Sequence, residues 1–435
     1  MRKKHSAVYI LDSRLRGNDG EEQVVNGYDG RNRGALGPDP GFTAPRRAGP
    51  CCMLSQTLGI ALIVLASAAE SVEVDCTLAG NAVLVPVDLQ GVGPYPFILD
   101  AGTRDLVVNR DVAGYLKLDL SADHGTTAFT APLAAAGVGG TALPQDTTLV
   151  MDLSGFSERM GIRVAGILPA CVPGKELTLD IVGNRLILSD LPETAGETAS
   201  APARAEALRA LAAAVPPTVR GLINGQDLRT FVVDTTFAGA VGLPEWDLRE
   251  LGLLRDDTAK LVIETPPAAS EAPPSPWATL TGGMQIRLKA LRVGAAQMDD
   301  PVCVVLEGRE PPRIGLGFLR HFRARFALDA AGVSVRIERA DAASVRDGPV
   351  VGCGISLVQC QQGFWRIAVA CNSSAARAGI ASGDPLVQVD GEDMRDQPYT
   401  VVLEGLAAEE GEPVEVTVRR GDKDKTVRLV AERLL

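Results

Sequence analysis

Histidine is nearly absent from this 435-residue chain; only His5, His124 and His321 occur. Three scattered histidines leave little material for a Ser-His-Asp or Cys-His enzyme, or for a histidine-ligated metal. Aromatic residues make up 4% of the sequence, too few for the stacking platforms that hold single-stranded nucleic acid. None of the eight cysteines forms a CxxC pair, so zinc and thioredoxin-like chemistry have no support. No apolar run reaches the roughly 20 residues that cross a bilayer comfortably. What is present is a globular composition, 46% hydrophobic and 22% charged, on a length that suits two or three domains. Residues 1–50 carry 9 basic and 6 acidic side chains, and the remainder carries 34 basic and 48 acidic, net −14. An acidic body argues against nucleic acid and anionic membrane as partners. Paired carboxylates, which need neither metal nor cofactor, are the chemistry such a chain can still build.

Residues 1–52 are rich in Gly, Arg, Asn and Pro and lack apolar periodicity, which reads as disorder. The run DSRLRGNDG (12–20) resembles translated intergenic repeat sequence. The expectation is a start at or near Met53, with a genuine disordered arm as the alternative. Within residues 53–69 the run TLGIALIVLASAA (57–69) has the length of a signal-peptide core, and Ala66-Ser67-Ala68 forms a small-residue cleavage pattern. Export to the periplasm or another extracytoplasmic site is expected, with an uncleaved anchor over 57–69 as the rival. In an oxidising compartment Cys76–Cys171, or two of Cys353, Cys360 and Cys371, are candidate disulfides. Spacing fixes no connectivity, and scattered buried thiols fit equally well.

The most informative feature is self-similarity. Residues 85–120 align without a gap on 219–254, an offset of 134. Gly91 falls on Gly225, Phe97 on Phe231 and Asp100 on Asp234. Each unit reads as a strand, a Gly turn, a second apolar strand ending in Asp, then a loop, a strand and a short helix. Matching ends follow, GILPACVPGKELTLDIVGNRLIL (166–188) and RIGLGFLRHFRARFALDAAGVSVRI (313–337), with Asp180-x-x-Gly183 paralleling Asp329-x-x-Gly332. The units span 75–190 and 218–340. Between them, 191–217 is an Ala/Pro/Glu-rich linker with a candidate helix over 205–215. TPPAASEAPPSP (265–276) reads as an exposed loop.

An aspartate ending an apolar strand (FILD, FVVD) is partly buried, which is costly alone. Two of them, one per repeat, can meet on a pseudo-twofold axis and share one proton, because like carboxylates in contact do not both ionise. One then acts as base toward a water while the other polarises a carbonyl. These units resemble the retropepsin-like, pepsin-superfamily aspartic proteases, in the arrangement of bacterial proteins that join two such lobes to a PDZ domain. The resemblance rests on Asp100-Ala101-Gly102-Thr103, Asp234-Thr235-Thr236-Phe237 and IGLGFLRHF (314–322). It implies Asp100 and Asp234 as the catalytic pair, with Gly102, Thr103 and Thr235 supporting their loops. Flaps are expected near 123–141 and 258–284. Four residues depart from the family pattern. Ala101 lacks a hydroxyl, Thr236 and Phe237 replace a glycine and a small polar residue, and Pro169 replaces a glycine. A β-branched residue at 236 would resist positive φ.

Residues 348–435 change character. GCGISL (352–357), AARAGIASGDPLVQVDG (375–391) and the closing hairpin 414–430 resemble a PDZ domain of the bacterial protease type. The resemblance implies strand addition by a peptide whose C-terminal carboxylate is capped by backbone N–H groups of Gly352, Cys353, Gly354 and Ile355. The RRGDKDK run (419–425) reads as a solvated hairpin. The expected fold is thus mainly β, with two acid-protease lobes followed by a small α/β PDZ domain. The expected function is an exported aspartic endopeptidase acting on peptide or protein substrates, without metal or cofactor. Its PDZ module recruits substrate or partner peptides, C-terminal tails among them. The alternative is a non-catalytic peptide-binding scaffold that retains the protease fold.

Overall fold

The computed structural model describes residues 71–435 apart from 80–81, 120–127, 145–146, 161, 192–215, 265–282, 330–331, 340–344 and 362. The N-terminal extension, the apolar run 57–69, the candidate helix 205–215, His124, the 265–276 cluster and parts of both expected flaps lie outside the described residues.

Unit one contains β1 (Ser71–Asp75), β2 (Thr77–Ala79), β3 (Ala82–Leu89), β4 (Val92–Asp100), β5 (Val107–Asn109), β6 (Ala128–Pro132), β7 (Ala136–Val138), β8 (Thr141–Ala142), β9 (Thr147–Met151), β10 (Gly166–Pro169), β11 (Lys175–Asp180) and β12 (Arg185–Asp190). Unit two contains β13 (Thr218–Ile223), β14 (Asp227–Val233), β15 (Val241–Pro244), β16 (Lys260–Ile263), β17 (Gly283–Arg287), β18 (Ala290–Val293), β19 (Ala296–Asp299), β20 (Val302–Leu306), β21 (Arg313–Ile314), β22 (Phe322–Asp329), β23 (Gly332–Arg339) and β24 (Val345–Arg346).

The two large sheets repeat each other over eight strands, and β2 pairs beside β3 in unit one alone among the described residues. Unit one runs β6-β9-β5-β10-β4-β3-β7-β8, and unit two runs β17-β20-β15-β21-β14-β13-β18-β19, with β16 and β24 added at its edges. The repeated turns are also alike in conformation. Gln90 and Gly91 have φ of 52° and 74°, and Asn224 and Gly225 have φ of 52° and 78°. Such left-handed pairs match the twist of the strands they join, and glycine adopts them without strain.

A five-stranded sheet, β1-β12-β11-β22-β23, joins the units. In its β11–β22 pairing Leu177 faces Phe326. By the Asp180/Asp329 alignment these two residues are equivalent, so the pair marks the pseudo-twofold point. One apolar cluster runs through both units, including Leu99, Leu168, Leu177, Phe231, Phe318 and Phe326. The lobes therefore share a core and are not separate beads.

The C-terminal module has strands β25 (Val351–Gly352), β26 (Ile355–Gln361), β27 (Phe364–Val369), β28 (Pro385–Val389), β29 (Glu392–Asp393), β30 (Pro413–Arg420), β31 (Lys423–Val430) and β32 (Glu432–Arg433). Its own core includes Trp365, Ile367, Leu386, Val402, Val416 and Leu429. Backbone bonds tie it to unit two: Cys371 N donates to Val262 O (2.8 Å) and Glu264 N to Val369 O (3.0 Å). Leu261 and Ile263 pack on Ala368 and Ala370. Arg287 donates to the carbonyls of Asp300 (2.6 Å) and Leu435 (3.2 Å), pinning the chain's end to unit two.

Cys76, Cys171, Cys303, Cys353 and Cys371 are free thiols, so the candidate Cys76–Cys171 disulfide is not formed. Burial pushes the Cys76 thiol up to about 11, which leaves it protonated and inert as a nucleophile at neutral pH.

Candidate active site and peptide groove

Asp100 ends β4 because that strand lies centrally, between β3 and the parallel strand β10, where Pro169 pairs with Asp100. Phe97, Ile98 and Leu99 are buried with it, and the chain turns at the first polar residue. Asp234 follows β14 in the same way, beside the parallel strand β21, and its N–H donates to Ile314 O (2.9 Å). Both aspartates are buried, 3% and 7% exposed.

The two loops are clasped by one side chain. Thr235 Oγ1 donates to Leu99 O (2.9 Å) and accepts from Ala101 N (2.8 Å). It therefore holds the residues on either side of Asp100 and is itself fully buried. No reciprocal side-chain bond is available from Ala101, which has no hydroxyl. Of the sequence-predicted residues, Gly102 N donates to Asp100 Oδ1 (2.8 Å), and the Thr103 hydroxyl donates to Asp100 Oδ2. Asp100, Gly102, Thr103, Asp234 and Thr235 thus come together.

The Thr236 departure is accommodated. Thr236 is not among the residues with positive φ, so the loop never enters the region where a β-branched residue is strained. Its N–H (3.0 Å) and hydroxyl (2.8 Å) both donate to Asp234 Oδ1, and Phe237 N adds a third bond (3.0 Å). The Phe237 ring is buried against Val304 and Leu306 inside unit two. Pro169 is tolerated for a different reason. At the equivalent place in unit two, Gly315 leads into the helix Leu316–Leu319 packed under the Asp234 loop, and an added Cβ would lie 2.1 Å from Phe237 O. Unit one has no helix after Pro169, so nothing there requires a glycine.

One residue escaped the sequence reading. Arg313, 8% exposed, directs Nη1 at Asp234 Oδ2 (3.4 Å) and Nη2 at Glu310 Oε2 (2.8 Å). The parallel pairings set Val232 beside Arg313 and Ile98 beside Ile167, so Arg313 stands where unit one has isoleucine. The repeat itself held this signal, because an arginine replaces an apolar residue in an otherwise apolar motif.

Cys171 lies near Asp100; burial first, and that carboxylate second, push its thiol up to about 12. His321 is structural. Arg320 Nε donates to its Nε2 (3.1 Å). Burial, then the Arg320 charge, hold the imidazole down to about 4. Because the folded value lies below the ordinary one of about 6.5, the ring takes up its proton on unfolding. Stability is full above about pH 6.5 and falls as the pH drops toward 4. His321→Asn is expected to flatten that slope, read as the difference in denaturant midpoint between pH 7 and pH 4.5.

In the C-terminal module Gly352 lies in β25, opposite Glu432, rather than in a loop. Cys353 and Gly354 form the bend. Gly354 has φ of 81°, and an added Cβ would lie 2.1 Å from Ser373 Cβ, so only glycine fits. Ile355 opens β26 and pairs with Val369. Among the described residues β26 has a partner on one side only, β27, and the helix Tyr399–Leu406 packs near it. An edge strand beside a helix is the geometry to which an extended peptide adds. In the Gly383-Asp384 turn, Asp384 accepts from Ala381 N (3.0 Å) and pairs with Arg420. Arg419 pairs with Asp424 (2.8 Å). Arg419, Arg420 and Asp424 of the 419–425 run are therefore paired within the domain.

No curated protein matches this chain. A crystal structure of a retropepsin-like aspartic protease from Rickettsia conorii is similar at 15% identity, covering 28% of this chain and 91% of its own, with a TM-score of 0.20. The PDZ domain of a carboxy-terminal protease from Vibrio cholerae, solved in complex with peptide, is similar at 23% identity. It covers 19% of this chain and 93% of its own, with a TM-score of 0.17. Residues 367–420 match the model of a PDZ domain family, and the chain is accordingly a mainly β protein with a C-terminal PDZ domain.

Proposed function

We propose that the chain is an aspartic endopeptidase in which Asp100 and Asp234 activate a water against a peptide bond, while the PDZ domain holds a substrate or partner peptide on the edge of β26. The observation that carries this reading is the Thr235 clasp, which joins the two aspartate loops across 136 residues of chain. Two buried carboxylates on joined loops, related by a repeat, form the arrangement that lets one act as base and the other as acid. The signal-like run 57–69 supports action outside the cytoplasm.

A second reading, a peptide-binding protein without hydrolysis, is favoured by the contact of Arg313 with Asp234 and by the missing hydroxyl at Ala101. Hydrolysis of an unfolded protein between about pH 3 and 7, a range bracketing the titration of paired aspartates, separates the two. The endopeptidase reading expects cleavage by the parent and a loss on the order of 10³-fold or more in both Asp100→Asn and Asp234→Asn. A folded parent that cleaves nothing, yet binds peptide through its PDZ domain, supports the second.

A further inference from the structure

We infer that the peptide groove of the PDZ domain lies at a joint between the two lobes, so that a peptide bound there stabilises a strand of unit two and a helix of unit one together. This rests on the peptide-binding part of the reading above and not on hydrolysis. The groove has two walls, the strand β26 and the helix Tyr399–Leu406. They share one apolar core, which includes Ile355 and Leu357 from the strand and Val402 and Leu406 from the helix. Each wall is fastened to a different lobe.

The strand wall is tied to unit two. Val369, Ala370 and Cys371, where β27 ends, are bonded in two directions. Toward the groove, Ala370 N donates to Gly354 O (2.8 Å) and Val369 pairs with Ile355. Toward unit two, Glu264 N donates to Val369 O (3.0 Å), Cys371 N donates to Val262 O (2.8 Å), and Ala370 is bridged to Ile263. Ala368 and Ala370 are buried with Leu261 and Ile263. The end of β27 thus lies between the groove and β16, the edge strand of the large sheet of unit two.

The helix wall meets unit one, where Tyr399–Leu406 packs against the helix Ser154–Met160. That helix is firmly seated. Ser157 Oγ donates to Leu153 O (3.1 Å) and accepts from Val164 N (3.0 Å). Asn109, buried at the end of β5, donates from Nδ2 to Val164 O (3.1 Å) and accepts from Leu153 N (3.3 Å). Leu153, Val164 and Phe156 pack with Ile98 and Ile167, on β4 and β10, the strands that bring Asp100 beside Pro169. A peptide added to β26 gives that strand a second partner and occupies the space beside the helix. Opening either wall then costs the peptide's contacts as well. The ties on each wall pass that cost to β16 and to Ser154–Met160, and by linkage a change in either element alters peptide affinity.

The test is hydrogen exchange of the full chain, read by mass spectrometry, with and without a millimolar decapeptide ending in a free leucine carboxylate, apolar like the groove's core. The expected result is exchange slowed about fivefold or more in both β16 and Ser154–Met160. Strands β7 and β8, at one edge of the unit-one sheet, are the reference and stay unchanged. Protection of β26 with only one of the two segments protected, or with neither, overturns the inference, and so does equal protection of β7 and β8. Ile367→Ala gives the converse. Ile367 is fully buried in the PDZ core, and the cavity is expected to speed exchange about tenfold or more in both segments. If that variant does not fold, Val402→Ala, at another fully buried core position, replaces it. A decapeptide that leaves β26 unprotected overturns the binding of apolar C-terminal tails, and the cavity variant then decides the joint alone. Both segments loosened together sustain it, and either one unmoved overturns it.

Discussion

Thr235→Val is expected to destabilise the lobes by about 2–4 kcal/mol, because the substitution keeps the shape and removes the hydroxyl from between two buried backbone groups. Thr235 is fully buried, with Leu99 O at 2.9 Å and Ala101 N at 2.8 Å from its Oγ1. Valine leaves that carbonyl and that N–H facing a methyl group, out of reach of water. Each orphaned group costs roughly 1–3 kcal/mol, and a misplacement of about 1 Å at the reacting groups can lower a rate by about 10²-fold. Denaturant unfolding measures the first effect and peptide hydrolysis the second. Thr235→Ser keeps the oxygen and is expected to stay close to the parent in both. If Thr235→Val unfolds at the parent's midpoint, the clasp does not hold the loops together.

A second large effect is expected from Gly315→Ala. The new Cβ would lie 2.1 Å from Phe237 O and 2.5 Å from Gly239 O. Both obstacles are backbone atoms of the Asp234 loop, so relief requires moving the loop itself. Leu316 N donates to Phe237 O (2.7 Å) and Gly315 N to Ala240 O (3.2 Å), and both bonds would be strained together. A loss of about 3 kcal/mol or more follows, at the upper end of overpacking, with loss of any hydrolysis. Gly155→Ala is the control. Nothing lies within 4 Å of its added Cβ, and alanine in the helix Ser154–Met160 is expected to leave stability unchanged or raise it by about 0.5–1 kcal/mol. A Gly315→Ala protein as stable as this control would mean that the helix Leu316–Leu319 does not support Asp234.

Much of the fold was legible because strand order follows local pattern when the pattern repeats. FILD and FVVD each end an apolar run in an aspartate, and both runs became central strands, β4 and β14, beside parallel partners. The 134-residue offset was legible for the same reason, since equal turn signals at Gly91 and Gly225 place equal hairpins. The PDZ module was readable from its small-residue helix start and Gly-Asp turn. The strand placement of Gly352 was not legible, because pairing with Glu432, 80 residues away, draws that glycine into β25.

By itself, then, the sequence determined a mainly β chain of two repeats and a PDZ module, with one aspartate at the end of each repeat's central strand. The composition and the hydrophobic periodicity that specify those elements act over a few residues. Only the tertiary structure decided that Thr235 bridges both loops, that Thr236 sits without positive φ, and that Arg313 reaches Asp234 across 79 residues. Those facts depend on which side chains the packed sheets bring face to face. A one-dimensional pattern records which residues are apolar, but not which distant partner satisfies a buried charge.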